Sequence, residues 1–302
     1  MWYKRYVEEV YDTPRTPASV VGSAGHVALE HFYYQVSECQ ANAAQHSFGR
    51  ANAGRNTSSE DTLRKCYRGE PKEDAIRKGL DYIRGVADFE IDFGRAKSRA
   101  ARRAKRAAME REYSQAVSYY LARPPRHKVL GAEVRGVVKV DGLALPIKAV
   151  SDLVVESRSE PGAVDIVDHK FVVSFSKGGA VKALFVIQAI FNYYTVEKLF
   201  EKPVRRFIVY ECKKTKNTDG SPQLRRYVIE YRNCEADFVV FRRLIKDATM
   251  EISRPRTYLP NPSDLFDGDH SFDIYRLGLI DDEVEFQNPL TGRQEKGRAP
   301  GR

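Results

Sequence analysis

Apolar positions dominate two stretches of the segment LALPIKAVSDLVVESRSEPGAVDIVDHKFVV, Leu143 to Val173. The pattern predicts two β-strands, about 145–155 and 163–173, with Ser157, Ser159, Pro161 and Gly162 supplying a turn. Long runs of β-branched residues are what a strand buried on both faces carries. An earlier strand is predicted in HKVLGAEVRGVVKV, ending at an Asp141-Gly142 turn. RRFIVYECKK and QLRRYVIEYR alternate around KNTDGSP, which predicts a hairpin.

Helical periodicity appears over 18–36, with Ser19 or Ser23 as a cap, and again over 72–122. Residues 178–201 are apolar almost all round, which predicts a buried helix, and 235–251 are amphipathic. Residues 1–12 read as a short amphipathic helix stopped at Pro14 and Pro17. The polar stretch 36–75 reads as an insertion or long loop, 76–122 as a basic helical part, and 261–302 as an irregular extension of a domain covering 1–260.

Composition narrows the class. The chain has 302 residues, of which 42% are hydrophobic and 30% charged, enough for one large domain. No apolar run approaches the ~18 residues of a membrane span, and the opening residues lack the apolar core of a secretory signal. An intracellular, cytoplasmic protein with no membrane partner is the expectation. Cys39, Cys66, Cys212 and Cys234 form no CxxC pair, so four reduced thiols are expected rather than a zinc site or a disulfide framework.

Fifty Lys and Arg against 41 Asp and Glu give a net charge of +9, which suits a polyanionic partner. The basic run RAKSRAARRAKRAAMER places Arg95, Arg99, Arg102, Arg103 and Arg106 on one helical face, opposite Ala100, Ala104 and Ala108. A run of one sign repels itself unless an anion neutralises it. It reads either as a solvated helix face or as a surface for nucleic-acid phosphates.

The chemistry gathers in the two central strands. The first carries Asp152, and the second carries Asp168, His169 and Lys170. Strand side chains alternate, so Asp168 and Lys170 share a face. Two carboxylates and an ammonium among Val and Ile are costly to bury unpaired. They are either a structural ion pair or the oxygen ligands of a hard cation such as Mg²⁺ with a lysine beside it.

Asp152, an intervening turn and Asp168-x-Lys170 resemble the core signature of the PD-(D/E)xK nuclease superfamily. Gly22-x-x-Gly25-His26-x-x-Leu29-Glu30 resembles the first motif of its RecB-like branch, in which a helix histidine joins the metal site. Gln188 on the long apolar helix matches that branch's glutamine, with Tyr193 in place of its tyrosine one position late. Glu133 and Glu30 are further acidic candidates. Ala149 departs from the branch, which has glycine three residues before the first Asp.

The resemblance, over roughly 19–210, implies a restriction-endonuclease-like α/β core: a mixed sheet flanked by helices, with a helical N-terminal part. It implies a Mg²⁺- or Mn²⁺-dependent deoxyribonuclease, an exonuclease of DNA repair or recombination that works with a helicase or recombination protein. Asp152, Asp168, the His169 carbonyl and His26 would hold the metal, Lys170 would support the reacting water or phosphate, and Gln188 and Tyr193 would steady the lysine or touch DNA. Some members of the branch carry an iron–sulfur cluster on one early and three late cysteines; the spacing here predicts none. The alternatives are a non-catalytic nucleic-acid-binding subunit and a hydrolase of RNA or another phosphate ester.

Overall fold

The computed structural model describes residues 14–48, 65–67, 71–219, 223–252 and 254, and two short strands at 286–287 and 294–295. The helix expected over 1–12 and most of the extension expected over 261–302 lie outside these residues.

The larger unit comprises Thr16–Ala87 and Phe93–Ile252. In chain order it holds α1 (Pro17–Phe48), α2 (Pro71–Gly85), α3 (Arg99–Ala122), β1 (Val129–Val138), β2 (Ile147–Glu156), β3 (Val164–Val172), α4 (Val181–Phe200), β4 (Val204–Lys213), β5 (Leu224–Glu230) and α5 (Glu235–Ile252). The five strands form one sheet in the order β1-β2-β3-β4-β5. β3 and β4 are parallel and every other neighbouring pair is antiparallel. A parallel pair needs a crossover, and α4 supplies it. The mixed sheet with helices on both faces is the fold the sequence predicts.

The second unit comprises 1–15, 88–92 and 253–302. Among its described residues, Arg15 and Ile91 form a parallel bridge, and β6 (Phe286–Gln287) pairs antiparallel with β7 (Gln294–Glu295).

Every residue of β3 from Val164 to His169 is buried, because both of its faces are covered. Val154, Ile166, Phe207 and Val209 pack with Ala189 and Val196 of α4 on one face. His169 packs against Tyr33 of α1 and Tyr120 of α3 on the other. Successive residues of one strand thus report to different helical layers.

Three expectations change. First, α1 starts after Thr16, whose Oγ1 accepts the Ser19 N–H at 3.2 Å, so neither Ser19 nor Ser23 is the cap. It continues to Phe48, through residues expected to be a loop. Gln40 explains part of this: its Nε2 donates to the His127 carbonyl and its Oε1 accepts the Val129 N–H, fixing the helix to the start of β1. Residues 71–75 likewise begin α2.

Second, Cys39 and Cys66 form a disulfide with a Cα–Cα distance of 5.6 Å, whereas Cys212 and Cys234 are free and buried. Only the continuation of α1 past residue 36 brings Cys39 to Cys66, 27 residues away. Third, α4 is buried on one side only, and Leu184, Ile187 and Leu199 are exposed. Among the described residues it is the one helix long and apolar enough to cross a membrane by length and composition, and its inner side packs on the sheet.

Candidate active site

The β2–β3 ladder ends at the pair Leu153↔Val167. Asp152 and Asp168 stand immediately beyond that last pair, where the strands part. There the Asp152 carboxylate takes over from the missing backbone partner: its Oδ2 accepts the His169 N–H at 2.7 Å. From α1, His26 brings its Nδ1 to 3.2 Å from the same oxygen. None of these contacts reaches Oδ1. Burial alone would raise the Asp152 carboxyl. The hydrogen bonds offered by His169 and His26, with the charge of the His26 imidazole, outweigh it and hold this group well below the usual carboxylate range. Burial lowers His26, but Asp152 more than offsets it, so the imidazole is raised.

Asp168 is held from two directions. Gln188 of α4 donates from Nε2 to Oδ1 at 2.7 Å, and the Lys170 ammonium donates to the same oxygen at 3.0 Å. Oδ2 also lies 3.0 Å from that ammonium, but it receives no hydrogen bond and is buried. Burial and the neighbouring Asp152 charge raise the Asp168 carboxyl. The two carboxylates are therefore driven apart in basicity by the same neighbourhood. Lys170 is partly exposed, with its ammonium 5.9 Å from the centre of the Phe185 ring.

Glu133 sits on β1 across from Asp152, between the pairs Ala132↔Leu153 and Val134↔Ser151. Its backbone is left-handed, φ 48°, in the middle of a strand. A non-glycine residue there is uncommon and marks local strain. Burial, Asp152 and Glu30 raise its carboxyl, which places all three acids in one electrostatic neighbourhood. Glu30 itself is exposed on α1.

The structure thus brings His26, Asp152, Asp168, Lys170, Gln188 and the main chain of His169 together, with Glu133 beside them. Two assignments are corrected. Gln188 grips Asp168 rather than the lysine. Tyr193, five residues along α4, turns away: its hydroxyl donates to Glu197 and its ring packs on Tyr231 and Phe238. The adjacent Asn192 faces β2 instead, accepting from the Ser151 hydroxyl at 2.9 Å.

Two further carboxylates lie on neighbouring strand positions but are fully engaged. Asp165 pairs with Arg206. Glu211, paired in register with Lys170 on β4, accepts from both the N–H and hydroxyl of Ser176. It thereby ties down the turn between β3 and α4. A lone Glu in the apolar run FIVYECKK was its only trace in the sequence.

The basic stretch divides. Arg95 precedes α3, which begins at Arg99 behind the Ser98 cap. Arg106 donates to the Ile83 and Val86 carbonyls, and Arg102 and Arg106 lie 5.9 and 5.8 Å from the Phe93 ring centre. These two serve packing. Arg95, Arg99 and Arg103 are exposed, as are Ala100 and Ala104, so no buried alanine face opposes them. If Arg99 and Arg103 each meet one phosphate, replacing either with Ala lowers the salt slope of DNA binding by about 1. A titration of fluorescent DNA across a salt series reads this slope.

Among the described residues no three His, Cys, Asp or Glu side chains form a ready-made metal cage. Mg²⁺ needs none, because it is bound by one or two carboxylates with waters and substrate phosphate. Asp152 Oδ1, outside the contacts described, and the buried Asp168 Oδ2, which accepts no hydrogen bond and faces the Lys170 ammonium at 3.0 Å, fit such a cation. Two carboxylates and a lysine at the parting of two strands, in a mixed sheet covered by helices, define a nuclease-like core. The family model of the PD-(D/E)XK nuclease superfamily matches residues 1–265, and the chain belongs to that superfamily. Members of the superfamily generally use divalent metal ions. No curated protein matches the chain.

Proposed function

We propose that the protein is a Mg²⁺- or Mn²⁺-dependent deoxyribonuclease of the RecB-like branch, acting as an exonuclease in DNA repair or recombination. The observation that carries this reading is Asp168: Lys170 and Gln188 both hold Oδ1, and the buried Oδ2 is left without a hydrogen bond. Oδ2 meets the Lys170 ammonium as an ion pair at 3.0 Å, and a buried carboxylate oxygen that accepts no hydrogen bond keeps its lone pairs for a divalent cation.

Asp152 and Asp168, with His26 and the His169 carbonyl, would hold the metal. When bound, a divalent cation polarises the scissile phosphate and acidifies a water. The chain's own groups do the rest. Gln188 fixes the rotation of Asp168. Lys170, partly exposed, offers N–H donors to the water or to the charge that develops on phosphorus. His26 and the His169 amide hold Asp152 ionised. The branch assignment is supported by the gathering in space of His26, Asp152, Asp168, Lys170 and Gln188, which follow the branch order along the chain.

The test is a gel assay with linear and covalently closed circular DNA in Mg²⁺, in Mn²⁺ and in EDTA. Loss of linear DNA alone, in metal alone, is the expected result. Nicked circles make the enzyme an endonuclease. DNA binding without cleavage in either metal overturns the catalytic reading.

A further inference from the structure

The side chain of His169 is 1% exposed and lies at the centre of a buried polar chain. Its ring is stacked between Tyr33 and Tyr210, at centroid distances of 5.9 and 6.0 Å. Nε2 lies 2.9 Å from the Tyr120 hydroxyl, which lies 2.5 Å from the Tyr33 hydroxyl. Nδ1 faces Asp152 Oδ2 at 3.6 Å and has no hydrogen-bond partner.

With the imidazole neutral, the protons in this chain have two consistent arrangements. In one, Tyr33 donates to Tyr120, Tyr120 donates to Nε2, and Nδ1 carries the ring proton toward the carboxylate. In the other, Nε2–H donates to Tyr120, Tyr120 to Tyr33, and Tyr33 to the Pro125 carbonyl, 3.5 Å away. The second aims an imidazole lone pair at a carboxylate within a buried site, and it ends in a contact too long for a good hydrogen bond. Burial raises both phenols well above their ordinary value, so both keep their protons and remain donors.

We infer that His169 is a positioning residue for Asp152, with its Nδ1–H tautomer set by the relay from Tyr33 through Tyr120. A small movement of the carboxylate toward Nδ1 closes the 3.6 Å gap to a hydrogen bond. Oδ2 is then held by the protein and Oδ1 is left to meet a cation. This inference rests on the reading of Asp152 as a metal ligand. Groups that orient a metal ligand in this way are worth about 10- to 100-fold in metal affinity or activity.

Two measurements on the full chain separate the inference from the reading beneath it. The first is the ¹⁵N spectrum of histidine-labelled protein without metal, with His169 assigned by the resonance lost in His169→Asn. The expected signature is the Nδ1–H tautomer, lost or mixed in Tyr120→Phe. The second is the Mn²⁺ dissociation constant by titration calorimetry. Tyr120→Phe is expected to weaken it by about 10-fold. Tyr113→Phe is the control: Tyr113 is equally buried on α3 but hydrogen-bonds the Ala75 and Ile76 carbonyls, so no change is expected.

An Nε2–H tautomer in the wild-type protein overturns the relay. So does a folded Tyr120→Phe protein with wild-type Mn²⁺ affinity, or an equal loss in Tyr113→Phe. Absence of Mn²⁺ binding by the wild-type protein overturns the metal reading instead, and the metal-free tautomer still decides the relay. That spectrum also decides it if Tyr120→Phe does not fold.

Discussion

The Lys170→Ala protein is expected to be folded and to lose about 10²- to 10³-fold in metal-dependent cleavage. That is the scale for removing one donor aimed at developing charge, about 3–4 kcal/mol of transition-state stabilisation. Folding should survive, because Lys170 is partly exposed and its partner Asp168 keeps the Gln188 hydrogen bond. The loss should fall on turnover and not on DNA affinity, since affinity comes mainly from phosphate contacts elsewhere. Asp152→Ala should be equally inactive and should also weaken metal binding. Single-turnover cleavage of a labelled duplex, beside a thermal melt, checks both. A purified, folded Lys170→Ala protein with wild-type cleavage removes the lysine from the mechanism.

Gly25→Ala is expected to be the most damaging single methyl group in the N-terminal helix. A Cβ at this position meets the Phe171 ring at 2.2 Å, so α1 must leave β3 or the ring must turn. Overpacking of this kind costs about 1–3 kcal/mol, a fall of a few degrees in melting temperature for a domain of this size. The consequence for the site is larger. His26 follows Gly25 and lies edge-on to the same ring, at 5.8 Å. Displacing the helix takes the imidazole away from Asp152. The double variant Gly25→Ala with Phe171→Leu should regain a large part of both stability and activity. If the double variant melts lower still and remains inactive, the ring is not the obstacle.

Much of this site was legible before the fold was. Asp168-x-Lys170 in an apolar strand needs only the two-residue period to place both groups on one face, and Gln188 was conspicuous as a long polar side chain in an apolar helix. Their partners were harder to assign. Local pattern cannot say whether a glutamine reaches the carboxylate or the ammonium, because that depends on how far α4 slides along the sheet. Tyr193 failed for an angular reason: five residues along a helix is well away from one face. The extent of α1 was hidden because residues 36–48 are polar on average. They are held by contacts 27 to 89 residues away, the Cys39–Cys66 bridge and Gln40 with β1. The Tyr33–Tyr120 contact spans 87 residues, and nothing in either helix announces it.

One property of α1 has a mechanical meaning. His26, Tyr33 and Gln40 recur every seven residues, two turns apart, and reach Asp152, Tyr120 and the start of β1 in turn. Along a straight helix these three anchor points span about 21 Å. A rod pinned at three points on one side resists slippage: advancing it by one residue would turn every anchor by about 100° at once. His26 therefore cannot drift alone while the rest of the helix stays in place. Its alignment is inherited from a keyway cut between His26 and Gln40, two of whose three pins lie outside the site.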